Sequence, residues 1–330
     1  RKTVTFKARG LYASSSKEPR GFRLGPWLIL GAVLVLALVV TTVAAVLGNM
    51  DVDRGTSNDS FDAPQTVRID NRTGGDVTLT GTGQDQVQVE RALRGSPLSE
   101  PTEETHQSGQ DLHLEATCAN VLLLSLFGGC AIDYDISVPE GTAVTVETIS
   151  GPIHVENVDG ELDLSSVSGR VLVSGNDGDT TVETLSGQIT LEQVRGTADL
   201  ESTSGDITAQ GEGEDIEVVS TSGKVDVSGF DARTVVAESI SGSVRVGGGF
   251  TDAEISTVSG SIEVSAQEPF TLLSVESISG SITAQVPQGD YHITGDSTSG
   301  GRDLRVDTSA KADSRIDADT VSGSLTVTYH

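Results

Sequence analysis

The chain has 330 residues, 36% of them hydrophobic and 4% aromatic, with a formal net charge of −27 at pH 7. The charge is divided: residues 1–25 hold seven Lys/Arg and one acid, and the rest holds 14 Lys/Arg against 47 Asp/Glu. So acidic a remainder excludes nucleic-acid binding and docking on anionic lipid.

Residues 1–25 are basic, contain several Ser and lack hydrophobic periodicity, so they read as a cytoplasmic tail. Residues 26–47, PWLILGAVLVLALVVTTVAAVL, are an unbroken apolar run. A helix of that length covers about 33 Å, enough for a bilayer core. Pro26 suits a first helical turn and Trp27 a lipid–water interface. A cleaved signal peptide is the rival, but its apolar region is usually about 7–15 residues and an Ala-x-Ala site should follow. The reading is one uncleaved transmembrane helix. Basic residues on its N-terminal side and acids after it place the tail inside and the bulk outside, in a single-pass plasma-membrane protein.

Residues 48–64 read as a polar linker and 65–140 as irregular first coils with a cap loop. Within the latter, TVRIDN, GDVTLTG and DQVQVERAL alternate like strands, 95–110 is a polar excursion with Pro97 and Pro101, and Pro139-Glu140-Gly141 is a turn. CANVLLLSLFGGC runs from Cys118 to Cys130. Outside the cytoplasm two Cys this close are expected to form a disulfide. The apolar stretch between them, Val121–Phe127, reads as a lid over the open end of the repeat domain; a membrane or partner surface is the alternative. A metal site is disfavoured, since no second Cys pair lies nearby.

Residues 141–330 repeat. Ser-Gly recurs in register as Ser150-Gly151, Ser168-Gly169, Ser186-Gly187, Ser204-Gly205, Ser222-Gly223, Ser241-Gly242, Ser259-Gly260, Ser279-Gly280, Ser299-Gly300 and Ser322-Gly323. The steps are 18, 18, 18, 18, 19, 18, 20, 20 and 23 residues. A fixed period of this size marks a solenoid. Apolar residues stand two and four places after each Gly, as in Val171 and Val173, and again six and four places before each Ser, as in Leu162 and Leu164. Spacing of two puts both on one face of a strand. Arg302 alone breaks the first column. The residue before Ser is also mostly apolar, as in Ile149 and Val258, which breaks the period of two and puts a corner near 165–166. Each coil then has at least two strands and three short sides. The fold class is all-β: a parallel β-solenoid, or β-helix, of about ten coils of 18–20 residues, stacked in sequence order behind one transmembrane α-helix. At about 4.8 Å per coil it runs roughly 50 Å.

The Gly has two readings. It supplies a positive φ at a tight turn, or it marks a strand position where no side chain fits. The Ser then forms an outward ladder. Neither reading is catalytic: a nucleophile is needed once, and none of the ten copies has an adjacent His. The five His (His106, His113, His154, His292, His330) share no triad or metal spacing. No cofactor is implied. Acidic corners at 174–180 and 211–215 are a calcium candidate without a full binding pattern. Arg302, Arg305, Lys311 and Arg315 gather in the longest repeat, either to bind an anionic wall polymer or to keep solenoid ends from joining. Asn58-Asp59-Ser60 and Asn71-Arg72-Thr73 fit the glycosylation sequon.

The Ser-Gly-x-Ile/Val-x-Val repeat, the Ile-Ser-Val-Pro-Glu-Gly entry at 136–141 and the N-terminal span together resemble a bacterial β-strand-repeat domain of unknown function, labelled "putative adhesin". The resemblance covers roughly Phe61 to His330. It implies a cell-surface β-solenoid, with some relatives linked to envelope-stress regulation, and defines no catalytic residue. The expected function is therefore a non-enzymatic surface interaction or scaffold protein, adhesin-like. Partners that fit are a cell-wall polymer, a surface protein or a second copy. The alternative is an envelope sensor, and the remote one a polysaccharide-acting β-helix enzyme.

Overall fold

The computed structural model describes residues 24–50, 52–62, 64–97, 99–120 and 129–330. It divides after Ala44 into two compact units. The first contains most of a helix, α1 (Leu24–Gly48), whose Ile29–Gly48 segment has a mean hydropathy of 2.8 and is long and apolar enough to cross a membrane. The tail before Leu24 lies outside the described residues.

The second unit is an all-β parallel solenoid. Strands preceding the Ser-Gly pairs stack as a first sheet: Ala143–Thr148, Leu162–Ser166, Thr180–Thr184 and Ala198–Ser202 lie in succession. Strands following them form a second sheet: Ile153–Glu156, Val171–Ser174 and Ile189–Arg195. Register is strict, so like meets like: Val171 lies between Ile153 and Ile189, and Leu164 between Val146 and Val182. A third, short side turns Val158, Asn176, Val194, Phe230, Phe250 and Phe270 inward. The core between the sheets is mostly Val, Ile and Leu, with Ala at positions such as Ala198, Ala237 and Ala284. Such residues pack against their own kind at the spacing of a β-ladder.

The strand before Ser-Gly runs further than expected. Ser166 and its equivalents still point inward and are buried, and the corner falls at Val167-Ser168 rather than at 165–166. The Gly then turns inward. A Cβ built on Gly205 would lie 1.6 Å from the carbonyl oxygen of Gly187, and one on Gly260 would lie 1.9 Å from that of Gly242. Gly205 and Gly260 do not have positive φ. The glycine is there because the neighbouring coil's backbone occupies the side-chain position.

Stacking order departs from sequence order at both ends. At the start, Asp111–Asn120 and Ala131–Pro139 pair outside Thr66–Asn71 and Val77–Thr82, which themselves lie against the first regular coil. At the finish, Ser314–Ser322 and Leu325–Tyr329 stack directly on Leu272–Ser279 and Ile282–Val286. The earlier segments Asp290–Thr294 and Arg302–Arg305 are pushed to the outside. Arg302 supplies a reason. It stands in register with Leu325 and Ile282, at an inward position. In sequence order its guanidinium would be sealed between two coils, a burial costing several kcal/mol. On the terminal coil it is exposed.

Three stretches outside the repeat also differ from expectation. Val52–Asp62, expected within the linker, is a strand antiparallel to Gln86–Gly95, which in turn pairs antiparallel with Ala131–Pro139. The excursion at 95–110 contains the strand Ser99–Ser108, antiparallel to Asp111–Asn120. These antiparallel strands extend both sheets at the end assigned to the loop lid, and Val87, Val89, Leu93 and Phe61 pack there against the core. Polar side chains hid Val52–Asp62 and Ser99–Ser108 from periodicity, because an edge strand buries one face at most. An ionic knot around the buried Arg91 ties them together. Arg91 Nη1 lies 2.8 Å from Glu103 Oε2 and Nη2 lies 2.8 Å from Asp59 Oδ2. The Tyr134 hydroxyl donates to Glu103 Oε1 at 3.1 Å. Burial, and then the Glu103 charge, push the Tyr134 hydroxyl's pKa above its usual range.

Cys118 and Cys130 form a disulfide with Cα atoms 5.9 Å apart. The inward positions flanking the corner are Thr148 and Gly151 in a regular coil, and Ala116 and Ile132 in this end coil. The bond thus closes the corner where the chain makes its long insertion instead of a Ser-Gly turn. The apolar stretch Val121–Phe127 lies outside the described residues.

Candidate functional site

The ten Ser of the Ser-Gly pairs are all exposed and form an outward ladder, with the Gly column beside them. No His, carboxylate or Lys completes a nucleophilic set around any of them among the described residues. Sequence reasoning missed what flanks this ladder. The residue before each Ser points outward: Ile149, Val167, Leu185, Ile240, Val258, Ile278 and Val321 are 44–53% exposed. In the middle coils Thr203 and Thr221 take the position. Sheet register aligns them into one stripe running from coil to coil. Their alternation with inward Ser/Thr was legible: Thr148, Ser166, Thr184, Ser202, Ser220, Ser239, Thr257, Ser277 and Thr320 stand two places before nine of the ten Ser, and Ser297 before the other. A small hydroxyl is the signature of an inward corner position, where it can bond the turn.

On the first-sheet side of the stripe lies an acidic row. Glu147, Glu183, Glu201, Glu238, Glu276 and Asp319 share one outward register, with Ser165, Val219 and Ser256 interspersed. Glu147 is ion-paired with Arg68. From Glu183 onward the row has no ion pair among the described residues. Elsewhere arginines pair some of the acids. Arg245 bridges Asp226 at 3.1 Å and Glu263 at 2.9 Å on the second sheet. Arg195 bridges Asp177 at 3.2 Å and Glu212 at 2.9 Å, so the two acidic corners considered for calcium share one guanidinium. Burial raises the Asp226 pKa, but hydrogen bonds from Lys224, Ser228 and Arg245 outweigh it and bring the carboxyl down to about 2.

Stripe and row form the walls of a groove with two hollows. One, of about 390 Å³, is lined by Ile149, Val167, Leu185, Glu183 and Glu201; the other, of about 570 Å³, by Val258, Ile278, Val321, Glu276 and Asp319. Beneath it, on the core side of the backbone, runs the inward Ser/Thr column, which changes character along the axis. In the early coils each hydroxyl serves the turn: the Gly169, Gly187 and Gly205 N–H groups donate to Ser166, Thr184 and Ser202 at 2.8, 2.6 and 2.8 Å. In later coils the strand runs on through Ser, and the Gly260 and Gly280 N–H groups donate to Ser279 and Ser322 carbonyls of the next coil. The hydroxyls of Thr257 and Ser277 that they leave, and those of Ser220 and Ser239, have no hydrogen-bond partner among the described residues. All four are at most 5% exposed.

Other candidates are dispersed. His113 Nε2 meets Asp70 at 2.9 Å, His154 Nε2 meets Glu156 at 2.7 Å, and His330 Nε2 meets the Ala266 carbonyl at 2.6 Å. Among the described residues no group of three His, Cys, Asp or Glu is placed to hold a metal ion. Asn71 of the second sequon is buried, its amide donating to the Gly75 and Ile132 carbonyls at 3.1 and 3.0 Å, which is no place for a glycan. Around the basic repeat, Arg305 pairs with Asp303 and Arg315 with Asp317, both at 2.7 Å.

A family model described as Toastrack DUF4097 matches residues 65–328. Among solved structures, a protein described as a "putative adhesin" from Bacteroides fragilis is 13% identical, with 84% of this chain and 98% of that one covered and a TM-score of 0.37. One with the same description from Parabacteroides merdae is 12% identical, with 84% and 95% covered and a TM-score of 0.36. No curated protein matches.

Proposed function

Since the chain belongs to the Toastrack DUF4097 family, whose model spans its whole repeat region, we propose that it is a non-enzymatic, adhesin-like interaction protein of the cell surface. α1 is its membrane anchor and the tail at 1–25 is cytoplasmic, supported by the apolar run and by the basic residues before it. The groove of the first sheet is the face that meets the partner. One observation carries this reading: the exposed apolar side chains are not scattered but aligned in register, beside acids left without counter-charges. Single exposed apolar residues need no explanation, whereas a contiguous apolar patch rimmed by polar groups marks an interaction site. Among the described residues, a uniform stack with acids spread over its coils also forms no deep, convergent cleft of the kind catalysis needs.

Two measurements test it. Protease added to intact cells should digest the repeats and spare an N-terminal tag; the reverse pattern refutes the orientation. Cells displaying the full chain should lose adherence to envelope-coated surfaces when Val258→Ser and Ile278→Ser are combined. Undiminished adherence would refute the groove as the contact face.

A further inference from the structure

We propose that the occupant of the groove is an extended cationic polypeptide segment, with Lys or Arg recurring along it and apolar residues between; this rests on the groove being the contact face. The walls select for both features. Val258, Ile278 and Val321 offer an apolar stripe with no aromatic ring on which a sugar would stack. Glu183, Glu201, Glu238, Glu276 and Asp319 offer carboxylates that no cation of the described chain neutralises. That row repels an anionic polymer. It also disfavours a second copy of this chain, because two grooves laid face to face would oppose acid to acid.

Spacing favours an extended chain. Glu201, Glu238 and Glu276 stand on alternate coils of the register. At ~4.8 Å per coil they are about 9.6 Å apart. A polyproline-II chain turns one face to the groove every third residue, at about 9.3 Å. A basic residue at every third position would therefore meet one carboxylate after another with little drift over the groove.

The test uses the full chain in a neutral detergent and a fluorescent 18-residue peptide, (Lys-Leu-Pro)6, read by anisotropy against (Ser-Leu-Pro)6. Tight binding of the Lys peptide, weakened at least tenfold by Glu201→Gln/Glu238→Gln/Glu276→Gln and less than twofold by Asp159→Asn/Glu192→Gln/Glu268→Gln on other sides, is the expected result. All six positions are exposed, so folding is not at stake. Equal weakening by both triple variants overturns the inference, since it means diffuse attraction to a chain of net charge −27. Equal binding of the Ser peptide overturns the cationic partner while sparing the groove as contact face. No binding of either peptide overturns the inference, and the adherence of the Val258→Ser/Ile278→Ser variant then decides separately whether the groove is a contact face.

Discussion

Gly205→Ala tests the stacking geometry most sharply. The added Cβ would lie 1.6 Å from the Gly187 carbonyl oxygen and 2.6 Å from its carbon. Nonbonded carbon contacts settle at about 3.5 Å, so the corner must open by well over 1 Å. Flanking ladder bonds, such as Ser222 N to Thr203 O at 2.9 Å and Ile189 N to Asp206 O at 3.0 Å, cannot survive that movement. Overpacking costs about 1–3 kcal/mol and each lost ladder bond about 1 more, for about 3–5 kcal/mol in all. At roughly 2–4 °C per kcal/mol for a domain of this size, the midpoint falls by about 6–20 °C. Circular dichroism melts of the full chain in detergent measure it. Ser204→Ala, at an exposed neighbour, should stay within about 0.5 kcal/mol. Gly205→Asn separates steric from conformational need, because Asn tolerates the left-handed region far better than Ala. Collision with backbone predicts that Asn does no better than Ala. A Gly205→Ala melt within about 1 °C of wild type, or an Asn variant clearly above the Ala one, would refute the reasoning.

Leu325→Arg should destabilise by about 3–5 kcal/mol, as for an uncompensated buried charge, because it places a guanidinium between two coils where Arg302 was kept out. If 290–305 lay inside and 314–329 outside, that substitution would be mild in the same denaturation experiment. Replacing Cys118 and Cys130 with Ser should cost about 3 kcal/mol by the loop-entropy argument for a ring of this size. Non-reducing mass spectrometry should first show the linked peptide, and free thiols in exported protein would remove the basis for the estimate. Asp226 predicts a pH dependence. Its folded pKa of about 2 lies below the ordinary 3.8, so its contribution is fully present above about pH 4 and is lost as pH falls through 2. Discounted for solvent screening, it is about 1 kcal/mol. The melting gap between wild type and Asp226→Asn should narrow between pH 4 and 2, and a constant gap would contradict the assignment.

The sequence by itself determined the solenoid, the identity of its inward columns and the apolar span. Each is a local periodicity, and period-two alternation leaves a strand only one way to face a core. Ile189 or Val227 could be placed inside from spacing alone because every copy repeats the same evidence. The Cys pair was legible because two thiols outside the cytoplasm have few other fates. What the tertiary structure decided were the quantities that depend on which coil neighbours which. Whether Gly205 served a turn or a collision required the position of the Gly187 carbonyl. Whether Ile149 and Val258 pointed in or out required the corner, since a β-branched residue at the end of a strand fits either face. Coil order at the ends escaped the repeat count, because Ser299-Gly300 and Ser322-Gly323 carry the same motif and compete for the same place on Ser279-Gly280. The groove is the product of all three. Its stripe and its unpaired carboxylates come from residues about 18 apart in sequence that only stacking at about 4.8 Å brings side by side.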